Sequence, residues 1–594
     1  MNAPRYQPRN PHPMRLHALL VVLAGSALWL VGTAFSMQVL HQDFYQGEGD
    51  ARTLRDLETP ASRGQISDRN GEPLAISTPM VSLWAEPKVL SSEASRLPEL
   101  ARALDLPLAT LSERLQAFAR REFVYLRRRL PPDQAERVLA LKIAGVHAQR
   151  EYRRFYPGGE VFAQLLGSTN IDDQGIEGLE LSYEAWLRGQ TGVRRVVKDL
   201  HGASVELVDV EEIRAAEPGR ELRLSIDRRL QYLAYRGLKS AVFENSATSA
   251  SMVILDAPSG EILAMANYPS FNPNAAGNPS PKLRRNSAVT DLFEPGSVVK
   301  AFTVAAGLES GKFTTRSTID THPGSLRVGK HVVHDILDYG VVDLTRLITK
   351  SSNVGATRIA LALDDEHLYD MFHRFGFGEA SGTSFPGEET GRLPTPQRWS
   401  DVEKATLSYG YGLSVNCLQL ATAYATLANG GMQVKPTFIL GQARAGRESR
   451  LLDPAIAESL LGMLETVTGP DGGGTRARVP NFRVAGKTGT ARKSEGGGYS
   501  SRYNSVFVGI VPVARPRLVA VVVIHDPSGS AYYGGLVAAP VFGQVMPDAL
   551  RLLNIAPDDL RPESLATGVP GGADATLAAA LRFDPANAAE GVAP

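Results

Sequence analysis

The sequence predicts an α/β (α+β) protein: one membrane-crossing helix, a mixed α/β N-terminal body, and a C-terminal domain whose sheet packs on helices. Three observations carry this. An uncharged apolar run lies near the N-terminus, strand hairpins stand at 251–267 and 505–526, and apolar helical segments fill the interval between those hairpins. At 594 residues the chain exceeds what one core supports, so two or more domains are expected.

The run Leu16–Leu40 contains no Asp, Glu, Lys or Arg. As a helix it would span about 37 Å, enough to cross a bilayer with some tilt. Arg5, Arg9 and Arg15 precede it, and Asp43, Glu48 and Asp50 follow it. The positive-inside rule leaves residues 1–15 in the cytoplasm and the bulk of the chain outside. The run is longer than the apolar region of a signal peptide and lacks a small-residue cleavage site, so it reads as an uncleaved anchor.

Residues 41–60 form a polar stem and 61–224 a first body, in which "RGQISDRNGEPLAIS" (63–77) alternates around Asn70-Gly71, a hairpin signal. Residues 91–142 are rich in Arg, Glu and Leu and are cut by prolines into short amphipathic helices. A second domain runs over 225–555. It opens on a helix with Ile226, Leu230, Leu233, Leu238 and Val242 at helical spacing and Asp227 in its first turn. "SMVILDAPSGEILAMAN" (251–267) and "SVFVGIVPVARPRLVAVVVIHD" (505–526) are two hairpins, and helices are expected over 298–310, 346–363 and 417–429. Residues 556–594, rich in Ala, Pro, Asp and Gly, read as a disordered tail.

Charge excludes some functions. Lys plus Arg equal Asp plus Glu at 63 each, so no basic excess points to nucleic acid. One cysteine, Cys417, allows no intrachain disulfide and no thiolate cluster; it reads as a small buried residue at a helix start. There is no Gly-x-Ser-x-Gly elbow, no P-loop and no His-Glu-x-x-His. His331 and His334 read as strand or loop residues, and no metal site is expected.

Three short segments carry chemistry. In "FEPGSVVKAF", Ser297 and Lys300 lie one helical turn apart behind Pro-Gly. A serine is a weak nucleophile without a neighbouring base, and a lysine kept neutral by desolvation is one. The N–H groups of a helix's first turn also favour developing negative charge. In "KSSNVG", Ser351 and Asn353 can present a hydroxyl and a carboxamide to a cleft. Ser168-Thr-Asn170 and Ser414-Val-Asn416 share that pattern and read as helix N-caps. In "VAGKTGTAR", Lys487, Thr488, Gly489 and Thr490 lie on a predicted strand, where Lys487 and the threonine hydroxyls can hold a carboxylate. A strand-edge N–H there, with that of Ser297, would make an oxyanion hole. Ser-x-x-Lys, Ser-x-Asn and Lys-Thr-Gly in this order are the signature of penicillin-recognising serine acyltransferases.

The chain resembles the class B penicillin-binding proteins, and within them the cell-division type. Further shared segments are "YPGGE", "DQGIEGLE", "MANYPSFNPN", "TDLFEPGSVVK", "RWSD", "GYGLSV" and "YYGGLVAAPVFG". The resemblance implies a transpeptidase domain with a five-stranded antiparallel sheet packed on helices, preceded by an elongated pedestal of the dimerisation type. It implies septal peptidoglycan crosslinking as a serine D,D-transpeptidase at the bacterial inner membrane, without a cofactor. It implies Ser297 as nucleophile, Lys300 as acylation base and Ser351 with Asn353 as second motif. Lys487, Thr488, Gly489 and Thr490 would line the opposite wall, with the Ser297 and Thr490 N–H groups as the oxyanion hole. Implied partners are stem peptides, β-lactams and, among division proteins, a multi-span lipid II polymerase. Tyr532 and Tyr533 read either as an aromatic wall for the ligand or as a turn with partly buried rings. Asn416-Cys417 stands where the family shows Thr-Pro. Two rivals stay open: a D,D-carboxypeptidase or β-lactamase, and a division scaffold or antibiotic sensor without catalysis.

Overall fold

The computed structural model describes residues 13–45, 54–198, 207–275, 277, 279–442, 449–495 and 498–560. The N-terminal arm up to residue 12 and the tail from 561 lie outside the described residues, as do residues 46–53 of the stem. The chain divides into two units.

The first unit comprises Met1–Arg63, Thr78–Arg153 and Arg188–Gly219. Its apolar helix Pro13–Phe35, extended by a π-turn to Leu40, is fully exposed, as a lipid-facing helix would be, and is long and apolar enough to cross a membrane. Strands Leu54–Thr59, Gly192–Lys198 and Leu207–Arg214 form one three-stranded sheet. A separate core gathers Leu83, Leu90, Leu100, Leu111, Leu126 and Val138 from short helices and from strands Pro73–Ala85 and Val124–Leu130. The latter strand is a departure from the all-helical reading of 91–142. Its register, Trp84 opposite Tyr125 and Ala85 opposite Val124, buries Val124, Leu126 and Leu130 while Arg127–Arg129 stay half-exposed.

The second unit comprises Gly64–Ser77, Arg154–Leu187 and everything from Arg220. Asn70-Gly71 does form a turn: Gly71 takes a positive φ, and Asp68 accepts the Asn70 and Glu72 N–H groups across it. Helix α1 (Arg228–Glu244) starts at Asp227, which is its N-cap rather than a first-turn residue and accepts the Arg229 N–H at 2.9 Å. Strands β1 (Ser249–Asp256) and β2 (Ile262–Tyr268) follow. Helices α2 (Lys300–Glu309), α3 (Leu344–Lys350), α4 (Asn353–Ala362), α5 (Cys417–Ala428) and α6 (Pro454–Thr468) come next. Strands β3 (Ala485–Glu495), β4 (Gly498–Val511) and β5 (Leu518–His525), then α7 (Ala539–Leu552), complete the domain.

The five strands form one antiparallel sheet in the order β2-β1-β5-β4-β3. Its centre joins sequence-distant strands, Ser249 opposite His525 through Asp256 opposite Leu518. Both faces are covered, so alternation appears as two sets of apolar side chains rather than apolar and polar. On β5, Val519, Val521 and Val523 enter the core shared with α2, α5 and α6. Leu518, Ala520, Val522 and Ile524 enter the core shared with α1 and α7. Helix α5 is apolar on every side because it is buried, and Asn416 with Gln419 closes a capping box at its start. Cys417, its first residue, is buried, as the sequence suggested. Strand β3 is an edge of the sheet, with one side of its backbone unpaired by the sheet.

Candidate active site

Pro295 ends an extended segment, Gly296 turns the chain with φ +59°, and Gly296–Val299 make a 3-10 turn that runs into α2. Ser297 lies in that turn and Lys300 is the first residue of α2. The one-turn spacing brings the Lys300 Nζ to 3.0 Å from the Ser297 Oγ. The turn is clamped from three sides. Gly296 N–H donates to the Gly410 carbonyl, the Tyr424 hydroxyl donates to the Val298 carbonyl at 2.6 Å, and β3 lies alongside. Gly489 allows that approach, since a Cβ there would stand 2.7 Å from the Pro295 carbonyl oxygen. Gly410 is equally constrained, because a Cβ on it would lie 2.1 Å from the Gly296 carbonyl oxygen.

The segment expected as one helix over 346–363 is two, α3 and α4. Ser351 ends α3 in the left-handed region at φ +59°, and Ser352 restarts the chain as N-cap of α4 by accepting the Gly355 N–H. A serine held at positive φ costs about 1 kcal/mol and is tolerated where surrounding contacts fix it. Here the break points both the Ser351 carbonyl and its hydroxyl at lysines. The carbonyl oxygen lies 2.5 Å from the Lys300 Nζ, and the hydroxyl lies 3.2 Å from Lys300 and 2.9 Å from the Lys487 Nζ. Asn353 starts α4 with its Oδ1 2.7 Å from Lys300, and its amide nitrogen donates to the His334 carbonyl, which fixes the side-chain orientation.

Pleating separates the residues of β3 into two sets. Lys487 and Gly489 face the helices. Thr488 and Thr490 face the other way, toward the Gly473 turn and the Gly534-Gly535 segment, and the Thr490 hydroxyl accepts the Gly534 N–H at 3.0 Å. Tyr532 stacks on Tyr503 at 4.2 Å between centroids and on Tyr533 at 4.6 Å, and Tyr533 is exposed. Thus Ser297, Lys300, Ser351, Asn353 and Lys487 converge, while the tyrosines form a stack beyond Gly534.

Both lysines are wholly buried. Burial, then the charge of Lys487, holds the Lys300 amine well below the ordinary lysine range, against an opposing pull from Asp335. Burial brings the Lys487 amine down to about 7. Lys300 has four oxygens within 3.2 Å, and two of them, the Ser351 carbonyl and the Asn353 Oδ1, can only accept. A neutral amine gives its two N–H groups to those nearest acceptors, and its lone pair is left for a hydroxyl proton.

Among the described residues, no His, Cys, Asp and Glu group could hold a metal ion. The two look-alike motifs go elsewhere. Asn416 caps α5, whereas Asn170 caps no helix and instead accepts the Asp172 and Gln174 N–H groups in a turn. Sequence reasoning passed over Asp335, Gly410 and Tyr424. Only Gly410 carried a signal, the double glycine of "GYGLSV" beside an apolar helix.

Residues 250–547 match the model of the penicillin-binding protein transpeptidase domain, and residues 58–224 that of the penicillin-binding protein dimerisation domain. The chain belongs to the class B penicillin-binding proteins. This penicillin-binding protein is 43% identical over 543 residues to a probable peptidoglycan D,D-transpeptidase, PbpC, of Pseudomonas aeruginosa, covering 91% of this chain and 95% of that one. It is 43% identical over 538 residues to the peptidoglycan D,D-transpeptidase FtsI of Escherichia coli K12, covering 90% of each. The transpeptidase domain of Burkholderia pseudomallei penicillin-binding protein 3 superposes with a TM-score of 0.52 at 37% identity, covering 56% of this chain and 97% of that one. The two-domain fold and the antiparallel sheet expected from sequence are those of the family.

Proposed function

We propose that this penicillin-binding protein crosslinks septal peptidoglycan as a serine D,D-transpeptidase. Ser297 attacks the penultimate D-Ala carbonyl of a stem peptide while Lys300 takes its hydroxyl proton. The carbonyl oxygen, now negative, is held by the N–H groups of Ser297 and Thr490. Collapse of this adduct breaks the D-Ala–D-Ala amide bond. The departing amine receives a proton relayed from Lys300 through Ser351, and D-Ala leaves. An amine of a neighbouring stem peptide then attacks the acyl-enzyme and loses its proton to Lys300; the Ser297 Oγ–acyl bond breaks, and Lys300 returns that proton to the Ser297 oxygen. Thr488 and Thr490, on the outer face of β3, bind the terminal carboxylate, Lys487 holds the Ser351 hydroxyl from the inner face, and Gly489 lets β3 lie close to the nucleophile turn. Asn353 orients Lys300 and the donor peptide, and Tyr532 and Tyr533 wall the site. A β-lactam acylates Ser297 in the same way.

The observation that carries this reading is one hydroxyl, that of Ser351, lying between two buried amines, one of which also touches the Ser297 hydroxyl. The N-terminal helix supports a single-pass protein of the bacterial inner membrane, with a cytoplasmic N-terminus and the catalytic body outside. The resemblance to the cell-division type of the family supports action with division proteins, including a multi-span lipid II polymerase.

Labelling with a fluorescent penicillin followed by mass mapping of the adduct is the decisive experiment. The adduct is expected on Ser297, and Ser297→Ala abolishes it; an adduct elsewhere overturns the assignment. On a defined stem-peptide substrate, crosslinked dimer distinguishes the transpeptidase from a hydrolase that only releases D-Ala. A Ser297→Ala protein that still supports division would instead favour a scaffold.

A further inference from the structure

Asp335 lies outside the three motifs, in the turn after strand His331–His334, which pairs with Ser325–Val328. Its carboxylate meets the start of α4 at three points. One oxygen accepts the backbone N–H groups of Asn353, at 2.5 Å, and Val354, at 3.0 Å. The other accepts the Ser352 hydroxyl at 2.5 Å. The residue before it, His334, takes the side-chain N–H of Asn353 on its carbonyl. The Ser352–Asn353 corner is therefore held by a side chain from another element.

We infer that Asp335 is a positioning residue for acyl transfer: it fixes the Ser351–Asn353 corner against Lys300 and places a negative charge near the buried Lys300 amine. The inference rests on the acyl-transfer reading above and deepens it.

Ser351 is held at positive φ, and Ser352 must both cap α4 and leave α3 within two residues. A corner of this kind keeps its geometry only if its N–H groups are anchored, and Asp335 anchors two of them. The anchored residues are those whose oxygens occupy the Lys300 amine. Tilting α4 would withdraw the Asn353 Oδ1 and redirect an amine N–H toward Ser297, where a lone pair is required.

Among the described residues, the ionisable groups acting on Lys300 are Lys487 from β3, which opposes its charge, and Asp335, which favours it. Helices α3 and α4 present it with the neutral groups of Ser351 and Asn353. Tyr339, in the same loop as Asp335, has its hydroxyl pushed up by burial and then by the Asp335 charge, so it stays neutral. Asp335 thus offsets part of the strain of burying two amines together.

The test is the second-order rate constant for acylation of Ser297 by a fluorescent penicillin, measured against pH on the full-length protein in detergent. Asp335→Asn keeps the size of the side chain and removes its charge. The plateau rate should fall about tenfold to a hundredfold, the cost of a displacement near the reacting atoms. The acid limb, where Lys300 loses its proton, should move to lower pH, because the charge that favoured the protonated amine is gone. A fallen plateau with an unmoved limb would reduce Asp335 to a helix cap and overturn the inference, as would a plateau within about twofold of the parent. If Asp335→Asn does not fold, Asp335→Glu keeps the charge on a longer arm. Its plateau should fall with the limb in place, and a plateau within about twofold of the parent again overturns the inference. Failure of the parent protein itself to label at Ser297 is a different result, which removes the acyl-transfer reading.

Discussion

Two buried amines sharing a hydroxyl have a thermodynamic signature. The Lys487 amine titrates at about 7 in the folded protein, while an unfolded lysine titrates near about 10.4. Between these values the unfolded chain holds a proton that the folded chain lacks, so stability rises with pH across that window. Below it both states are protonated at this group, and the cost of burying the charge is carried in full. The melting temperature of the parent should climb from pH 7 to 9. In Lys487→Met the climb should be shallower, its underlying unfolding free energy rising less by about 1 kcal/mol per pH unit. Equal slopes in scanning calorimetry would show that Lys487 is not the titrating group. At this scale the sequence was most informative where chemistry demands a residue type: Ser297, Lys300, Ser351, Asn353 and Lys487 were all legible from three motifs, and they converge in space. Asp335 was not, because a carboxylate that anchors backbone N–H groups from 18 residues upstream leaves no spacing rule behind.

Elements are positioned by what they lack as much as by what they carry. Strand β3 reaches the nucleophile turn because Gly489 presents no side chain to Pro295 and Val298. In Gly489→Ala the new methyl would stand 2.7 Å from a carbonyl oxygen that is part of backbone and cannot rotate away. The strand must withdraw, carrying Lys487 and the Thr490 N–H with it. Penicillin acylation should drop by about a hundredfold, while the circular dichroism spectrum is unchanged; acylation within about twofold of the parent would show that β3 has slack. The apolar runs at 251–267 and 505–526 announced their hairpins plainly, since both faces of the sheet are buried and every position is constrained. Strand Val124–Leu130 was hidden. Its outward positions are arginines, Arg128 lies over the Tyr125 ring at 4.7 Å and pairs with Glu151, and such long side chains obscure a period of two. The break at Ser351 was hidden as well, because two apolar helices separated by two serines read as one.

For the whole molecule, the anchor and the catalytic body are separable in composition. Removal of residues 1–44 should move the protein from the membrane pellet to the soluble fraction on ultracentrifugation, with Ser297 labelling by penicillin retained. Soluble but unlabelled protein would mean that the helix contributes to the site. The sequence disclosed the order of these parts through charge and hydropathy, yet not which strands neighbour one another, since pairing between distant segments leaves no local pattern. That pairing has a consequence for synthesis. The strand at the middle of the catalytic sheet, Leu518–His525, is the last one made, and its neighbour Ser249–Asp256 precedes it by more than 260 residues. Closing so long a loop is slow, and the nucleophile turn has no β3 wall beside it until most of the chain has emerged. A nascent chain is therefore chemically silent: its reactive serine is translated early and armed late.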